Sequence, residues 1–253
     1  MMKYFLLIVL FFAFFGCTKQ TDSSASVSGS DKTLNIQVIP SYNNAPLLMY
    51  KNYVYNGKTI QFTKFSFICS RFCDDVKTNC DNRQLKFDFS ATDSTSALKG
   101  ITNSISISNT NIQNLVIGFG VDANANALIP AKQLQSSPLA NGLNYWDAWD
   151  SFIFLRIQGM YDKDGDGILE TPFGFDTGGN EIYSEKTYAL NNYIPNPNST
   201  SVNLLFSIDL VSVLNTTDFN VITQTSKSVD IPVMNVLMTN LKNALVYKAV
   251  TIK

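Results

Sequence analysis

Residues 60–72, IQFTKFSFICSRF, decide the fold class of this chain. Ile60 and Phe62 alternate with polar neighbours, and Phe65 and Phe67 continue the alternation in shifted phase. A period of two sends successive side chains to opposite faces of an extended strand, so one face is apolar and the other polar. Aromatic and β-branched residues fill the run, and these fit a pleated surface better than a helix.

The pattern recurs outward from this stretch. Leu34, Ile36 and Val38 alternate, as do Leu85, Phe87 and Phe89, and Ile105 with Ile107. Further apolar runs cover residues 112–119, 152–157, 202–210 and 245–252, with Asn, Gly, Ser and Asp clusters between them. About eight to ten such strands predict a single all-β domain over residues 33–253, an antiparallel β-sandwich or barrel. One segment departs from period two. After Asp230 and Pro232, apolar residues at 233–241 fall at three- and four-residue spacing, which predicts one short C-terminal helix capped by Asp230. Met234 and Met238 share a face of it; core packing is the commoner use of such a pair, soft copper ligation the rarer.

The beginning of the chain reads as a leader. Lys3 precedes eleven apolar residues at 5–15, too few to span a bilayer, and Gly16-Cys17 follows at once. Residues 1–16 are therefore expected to be a lipoprotein signal peptide, with Cys17 as the lipidated N-terminus. Residues 17–32, rich in Ser, Thr, Asp and Gly, read as a flexible tether. Loss of the leader removes one lysine and leaves 18 basic against 20 acidic residues. That balance suggests no nucleic-acid partner, and the expected membrane attachment is through lipid rather than charge. The expected location is the cell envelope; Thr18 after the lipidated cysteine fits the outer membrane, on its periplasmic or surface face.

Three further cysteines, Cys69, Cys73 and Cys80, call for a disulfide in an exported protein. Cys69 and Cys73 lie on one extended run, where four residues span about 13 Å, beyond the roughly 7 Å that a bridge tolerates. The bridge is expected to join Cys80 to Cys73, or alternatively to Cys69. A three-thiolate soft-metal site is the competing reading.

Asp162, Asp164 and Asp166 alternate ahead of Gly167 in DKDGDGILE. Carboxylates at loop positions one, three and five converge when the chain coils, Gly167 accepts the turn at position six, Ile168 offers a carbonyl at seven, and Glu170 fits nine. The expected ion is Ca²⁺, bound by Asp162, Asp164, Asp166, Ile168 and Glu170. Phe173 stands at position twelve where a bidentate glutamate is usual, so Asp176 or another group would have to complete the shell. The bland reading is a solvated acidic hairpin tip.

Enzyme readings are poor. The chain contains no histidine, which excludes Ser-His-Asp and Cys-His catalysis and histidine-based zinc sites. No G-x-S-x-G elbow and no phosphate-binding glycine loop is found. Trp146 and Trp149, the only tryptophans, stand with Asp147 and Asp150 in a cluster resembling a sugar site. The plainer reading makes the aspartates surface residues beside a core tryptophan.

The order of signals resembles the methanobactin-associated copper-binding (MbnP-like) family of exported bacterial lipoproteins. The likeness rests on the strand at 60–68, on Gly118-Phe119-Gly120-Val121-Asp122 with Asn124, on the block from Tyr145-Trp146 through Leu155-Arg156-Ile157-Gln158-Gly159, and on the strand at 202–209. It implies a β domain over about residues 34–253. It also implies copper, which some members bind through histidines and an oxidised tryptophan. Trp146 is similar in position to the first family tryptophan, but Ala148 holds the place of the second, with Trp149 one residue later. Asn144 replaces a methionine, Gln158 a glutamate, and every histidine is missing. Copper held in the family's manner is therefore not expected, and Trp146 reads as core or as the lining of a pocket with Trp149.

The combined expectation is a lipid-anchored, non-catalytic binding protein of the cell envelope with one disulfide and one Ca²⁺. Two alternatives stand beside it. One is copper handling by Cys69 and the methionines. The other is a surface lipoprotein that binds carbohydrate or a protein partner through Trp146 and Trp149.

Overall fold

In the computed structural model, the change of phase between Phe62 and Phe65 is a β-bulge. Gln158 faces Lys64 and Gly159 faces Phe62, so Thr63 is the extra residue, and Ile60, Phe62, Phe65 and Phe67 all stay buried. The structure describes residues 32–107, 112–191, 200–225 and 230–252. The expected leader, Cys17 and the tether up to residue 31 lie outside the described residues.

The strands in chain order are β1 (Lys32–Tyr42), β2 (Ala45–Pro46), β3 (Asn52–Tyr55), β4 (Lys58–Asp74), β5 (Cys80–Phe89), β6 (Ile101–Ile107) and β7 (Asn114–Phe119). They continue as β8 (Tyr145–Trp146), β9 (Ser151–Phe152), β10 (Leu155–Tyr161), β11 (Thr171–Thr177), β12 (Ser184–Ala189), β13 (Ser201–Asp209) and β14 (Leu245–Ile252). Helices are α1 (Ser94–Lys99), α2 (Ala123–Asn126), α3 (Leu210–Val213) and α4 (Ile231–Ala244).

Two main sheets form the sandwich. The larger runs β11-β10-β4-β7-β12, with β3 and β5 also paired to β4. Strand β4 is 17 residues long and is the spine of this sheet. Its pairings place β3 then β5 along one side and β10 then β7 along the other. A second bulge falls at Arg71, where pairing to both β5 and β7 shifts and φ is 52°. The smaller sheet runs β14-β13-β1-β2, with β6 on β1. Here β1 and β13 are parallel from Thr33 opposite Ser201 to Ser41 opposite Asp209; the other ladders between named strands are antiparallel.

Leu34, Ile36 and Val38 from one sheet share a single buried cluster with Phe62, Phe65 and Phe67 from the other. Phe65 stacks on Phe89 and Phe67 on Phe87 directly across β4 and β5, each pair at 5.2 Å. Such cross-strand pairs contribute about 0.2–1 kcal/mol each. The outer face of the smaller sheet carries a polar rung. Ser104 donates to Asn35 at 2.6 Å and Asn35 to Asn203 at 2.8 Å, one rung across three strands.

Helix α4 buries Met234, Leu237, Met238 and Leu241, the i, i+3, i+4, i+7 stripe expected of an amphipathic helix. Each such side chain stabilises the fold by roughly 1.5–3 kcal/mol on burial. Asp230 takes the N-cap place and its carbonyl accepts from the Met234 amide at 2.9 Å. Its carboxylate makes no capping bond, contrary to the expected side-chain cap. The helix runs three residues beyond Leu241 and passes into β14 without a loop. Among the described residues no helix is long and apolar enough to cross a membrane.

Candidate functional site

Strand β10 carries a distinct feature at each end. At its C-terminal end the hairpin to β11 forms the acidic loop. Asp162 is 2% exposed and the remaining acids lie in solvent. One carboxylate oxygen from each of Asp162, Asp164, Asp166 and Glu170 lies within 4.8 Å of the others, so the group could hold a metal ion. No other group of three or more Cys, Asp or Glu side chains does so among the described residues.

Backbone amides build this arrangement. Gly165 donates to Asp162 Oδ1 at 2.6 Å and Gly167 to Asp162 Oδ2 at 3.0 Å. Asp166 donates to Asp164 Oδ1 at 3.1 Å, Ile168 to Asp166 Oδ1 at 2.8 Å, and Lys163 to Glu170 Oε1 at 2.6 Å. Gly165 and Gly167 have φ of 85° and 94°, a region that side-chain-bearing residues avoid. The loop is tied to the β3–β4 turn through the Asp162 amide, which donates to Thr59 O at 2.9 Å, and through Lys58 Nζ, which donates to Lys163 O. Lys58 had no signal in the sequence; only the turn's position brings it there.

One expectation about the shell is corrected. Asp176 does not complete it. It sits five residues into β11, roughly 17 Å along the strand from Thr171, and pairs with Arg156 at 3.1 Å. Burial raises the Asp176 carboxyl pKa, against the opposing pull of Arg156. Phe173, at loop position twelve, is buried with its ring against Phe62, Phe175 and Phe219. The core has taken the place of the bidentate ligand.

The N-terminal end of β10 carries the tryptophans. Expected as one strand, residues 152–157 are instead divided between β9 and β10, with Ile153 and Phe154 buried between them. Trp146 and Trp149 stack with centroids 4.7 Å apart and planes 3° from parallel. Trp149 is 7% exposed and Trp146 is 40% exposed. Trp146 is therefore not buried in the core, one of the two places expected for it, whereas Trp149 is. Clefts elsewhere on the surface are walled by other residues, such as Arg71 and Asp122 or Arg83 and Leu134. Under the stack lies Gly178, where a Cβ would meet Phe152 O at 2.5 Å and the Trp149 ring at 3.3 Å.

Buried polar groups fix this end. Asn126 accepts from the Phe152 amide at 2.9 Å and from Ser151 Oγ at 3.2 Å, and Ser151 Oγ accepts from Gly179 N at 2.8 Å. Tyr145 donates to Asp150 Oδ1 at 2.6 Å, and this bond pushes the phenol pKa up to about 12. Asp147 and Asp150 are exposed, as the plainer reading held.

The cysteines resolve one alternative. Cys73 and Cys80 face each other across β4 and β5 and form the disulfide, with 4.1 Å between Cα atoms. Asp74 holds the enclosed turn by accepting from Thr78 N at 3.0 Å and Asn79 Nδ2 at 2.7 Å. Cys69 is free and buried, and burial raises its thiol pKa far above the usual range. The three-thiolate site is excluded because two of its sulfurs are spent. Met234 and Met238 are buried core residues of α4.

A family model described as MbnP matches residues 31–235. Among solved structures, MbnP from Methylosinus trichosporium is similar, with a TM-score of 0.50 and 10% sequence identity over 77% of this chain and 80% of that one. At that identity the likeness speaks for the fold. No curated protein shows significant similarity to the chain.

Proposed function

The chain belongs to the MbnP family, and from that premise we propose that it is a non-catalytic, lipid-anchored binding protein of the cell envelope whose β10–β11 loop takes up Ca²⁺. The observation that carries the metal reading is the convergence of four carboxylates within 4.8 Å on a loop already shaped by its own amides. Carboxylates this close repel one another, and a hard dication relieves that repulsion while accepting an irregular oxygen shell. Asp162, Asp164, Asp166 and Glu170 would supply carboxylate oxygens, and Ile168 its carbonyl. With Phe173 at position twelve, the affinity falls in the weak class of extracellular calcium modules, roughly 10⁻⁴–10⁻³ M.

Copper in the manner implied by the resemblance has little support in this member. The chain has no histidine, and Cys69, the free thiol among the described residues, belongs to no cluster of Cys, Asp or Glu there. A calcium-bearing member would then share the family's scaffold and have lost its copper ligands. Attachment through Cys17 rests on the leader that precedes it, and the absence of histidine supports a binding rather than catalytic role.

Metal analysis of the full chain, purified in detergent, tests the reading. At equilibrium with several millimolar free calcium, one Ca²⁺ per chain without copper is the expected result; copper retained at submicromolar free metal would overturn it. Mass spectrometry of the N-terminal peptide is expected to find a lipid on Cys17, absent after Cys17→Ser.

A further inference from the structure

We propose that the Trp146–Trp149 stack is a carbohydrate-binding platform that takes the flat face of a neutral hexose unit. Three observations carry this. The first is the layering. Gly178 lies against Trp149, Trp149 is covered by Trp146, and Trp146 keeps 40% of its surface in solvent. With the inner face of Trp146 occupied at 4.7 Å, the face left for a ligand is the outer one, a single flat apolar plane. The second is rigidity. Strand β9, whose Ser151 pairs with Trp146, is anchored by the buried Asn126 amide, and the Trp149 ring backs Trp146, so a ligand would find the ring already oriented.

The third is the chemistry around the ring. A single open face suits a planar or ring-shaped ligand; a quaternary ammonium group prefers several rings enclosing it. A nucleobase would also stack, but it brings phosphates that need a basic groove. Here the exposed neighbours are Asp147 and Asp150, whereas Arg156 and Lys86 are paired to Asp176 and Asp88. Carboxylates repel a polyanion and accept hydrogen bonds from sugar hydroxyls. A pyranose, with one C–H face and a hydroxylated rim, matches both the plane and its border. The platform lies at the opposite end of β10 from the acidic loop, so the two functions are separable.

The test is a calorimetric titration of the full chain in detergent with neutral gluco-, manno- and galacto-oligosaccharides of four or more units, and with an oligothymidylate as the anionic control. Binding of at least one oligosaccharide series and none of the oligothymidylate is expected. Trp146→Ala should weaken binding by about two- to tenfold, as the loss of one aromatic stacking contact would, and Trp146→Phe should retain part of it. Leu143→Ala should leave it unchanged. Chelating calcium should also leave it unchanged, which separates failure here from failure of the calcium reading. No binding to any oligosaccharide at millimolar concentration, preference for the oligothymidylate, or equal binding by a folded Trp146→Ala protein would each overturn the proposal.

Discussion

Gly167 donates its backbone N–H to Oδ2 of Asp162 at 3.0 Å, closing the acidic loop on its one buried carboxylate. Asp162 thus serves the loop before any ion arrives. Asp162→Ala is expected to remove the calcium response and also to cost about 1–3 kcal/mol without metal, since two amides lose their acceptor. Asp164→Ala, exposed, should remove the response with little change in the metal-free protein. Thermal melts with and without calcium distinguish the two. At a hundredfold excess over Kd the parent should gain about 2.7 kcal/mol.

Phe173→Glu would restore the sequence pattern of a full twelve-position loop. The expected outcome is the reverse of improvement. Phe173 packs among Phe62, Phe175 and Phe219, and replacing it with a carboxylate removes a core ring and buries a charge. A loss of at least 3–5 kcal/mol is expected, by analogy with truncation of buried aromatics, read from urea unfolding. Tighter calcium binding by a stable Phe173→Glu protein would show the loop to be less bound to the core than described.

The Cys73–Cys80 bridge encloses a short turn with a sequence separation of 7. Chain entropy alone gives such a small loop roughly 2.5 kcal/mol. Cys73→Ala with Cys80→Ala should lower stability by about that amount. Thiol titration of the unreduced protein should find Cys69 silent while folded and reactive in denaturant, because its sulfur is buried and its thiolate disfavoured.

Trp149→Ala should cost about 3–5 kcal/mol, as large-to-small changes of buried aromatics do, and should leave Trp146 without its partner. Gly178→Ala is expected to be similarly damaging, because its Cβ would meet Phe152 O at 2.5 Å. Near-ultraviolet circular dichroism of the stacked indoles would report the loss in both variants. An unchanged signal in Gly178→Ala would contradict the layering.

Asp88 gives the acid limb of stability. Burial pushes its carboxyl pKa up, but hydrogen bonds from Lys64 at 2.8 Å and contact with Lys86 at 3.0 Å outweigh burial and hold it below the ordinary 3.8. A folded pKa below the unfolded one means stability that is present above about pH 4 and is lost as the pH falls through the folded value. Lys64→Ala should therefore move the acid-unfolding midpoint upward. Circular dichroism across pH 2–5 would measure it.

Much of the sandwich was legible because alternation is a local property. The phase shift between Phe62 and Phe65 even marked the Thr63 bulge. Strands β3, β11 and β12 were not legible. Strand β12 buries only Tyr188 at the sheet edge and so has no alternation to read, while β11 is interrupted by Pro172 and Gly174. At the acidic loop, the carboxylate positions could be read from spacing, but Lys58 could not, since it lies 105 residues from the carbonyl it contacts.

The sequence by itself determined which side chains can share a face, which carboxylates can converge, and that histidine chemistry is absent. Those are consequences of residue identity and of the backbone's short-range geometry. Only the tertiary structure decided that β1 runs parallel to β13, with Asn35 bonded to Asn203 across 168 residues. Only it decided that Phe173 belongs to the core rather than to the metal shell, and that one tryptophan covers the other. Such choices depend on which distant surfaces compete for burial, and a local pattern carries no record of that competition.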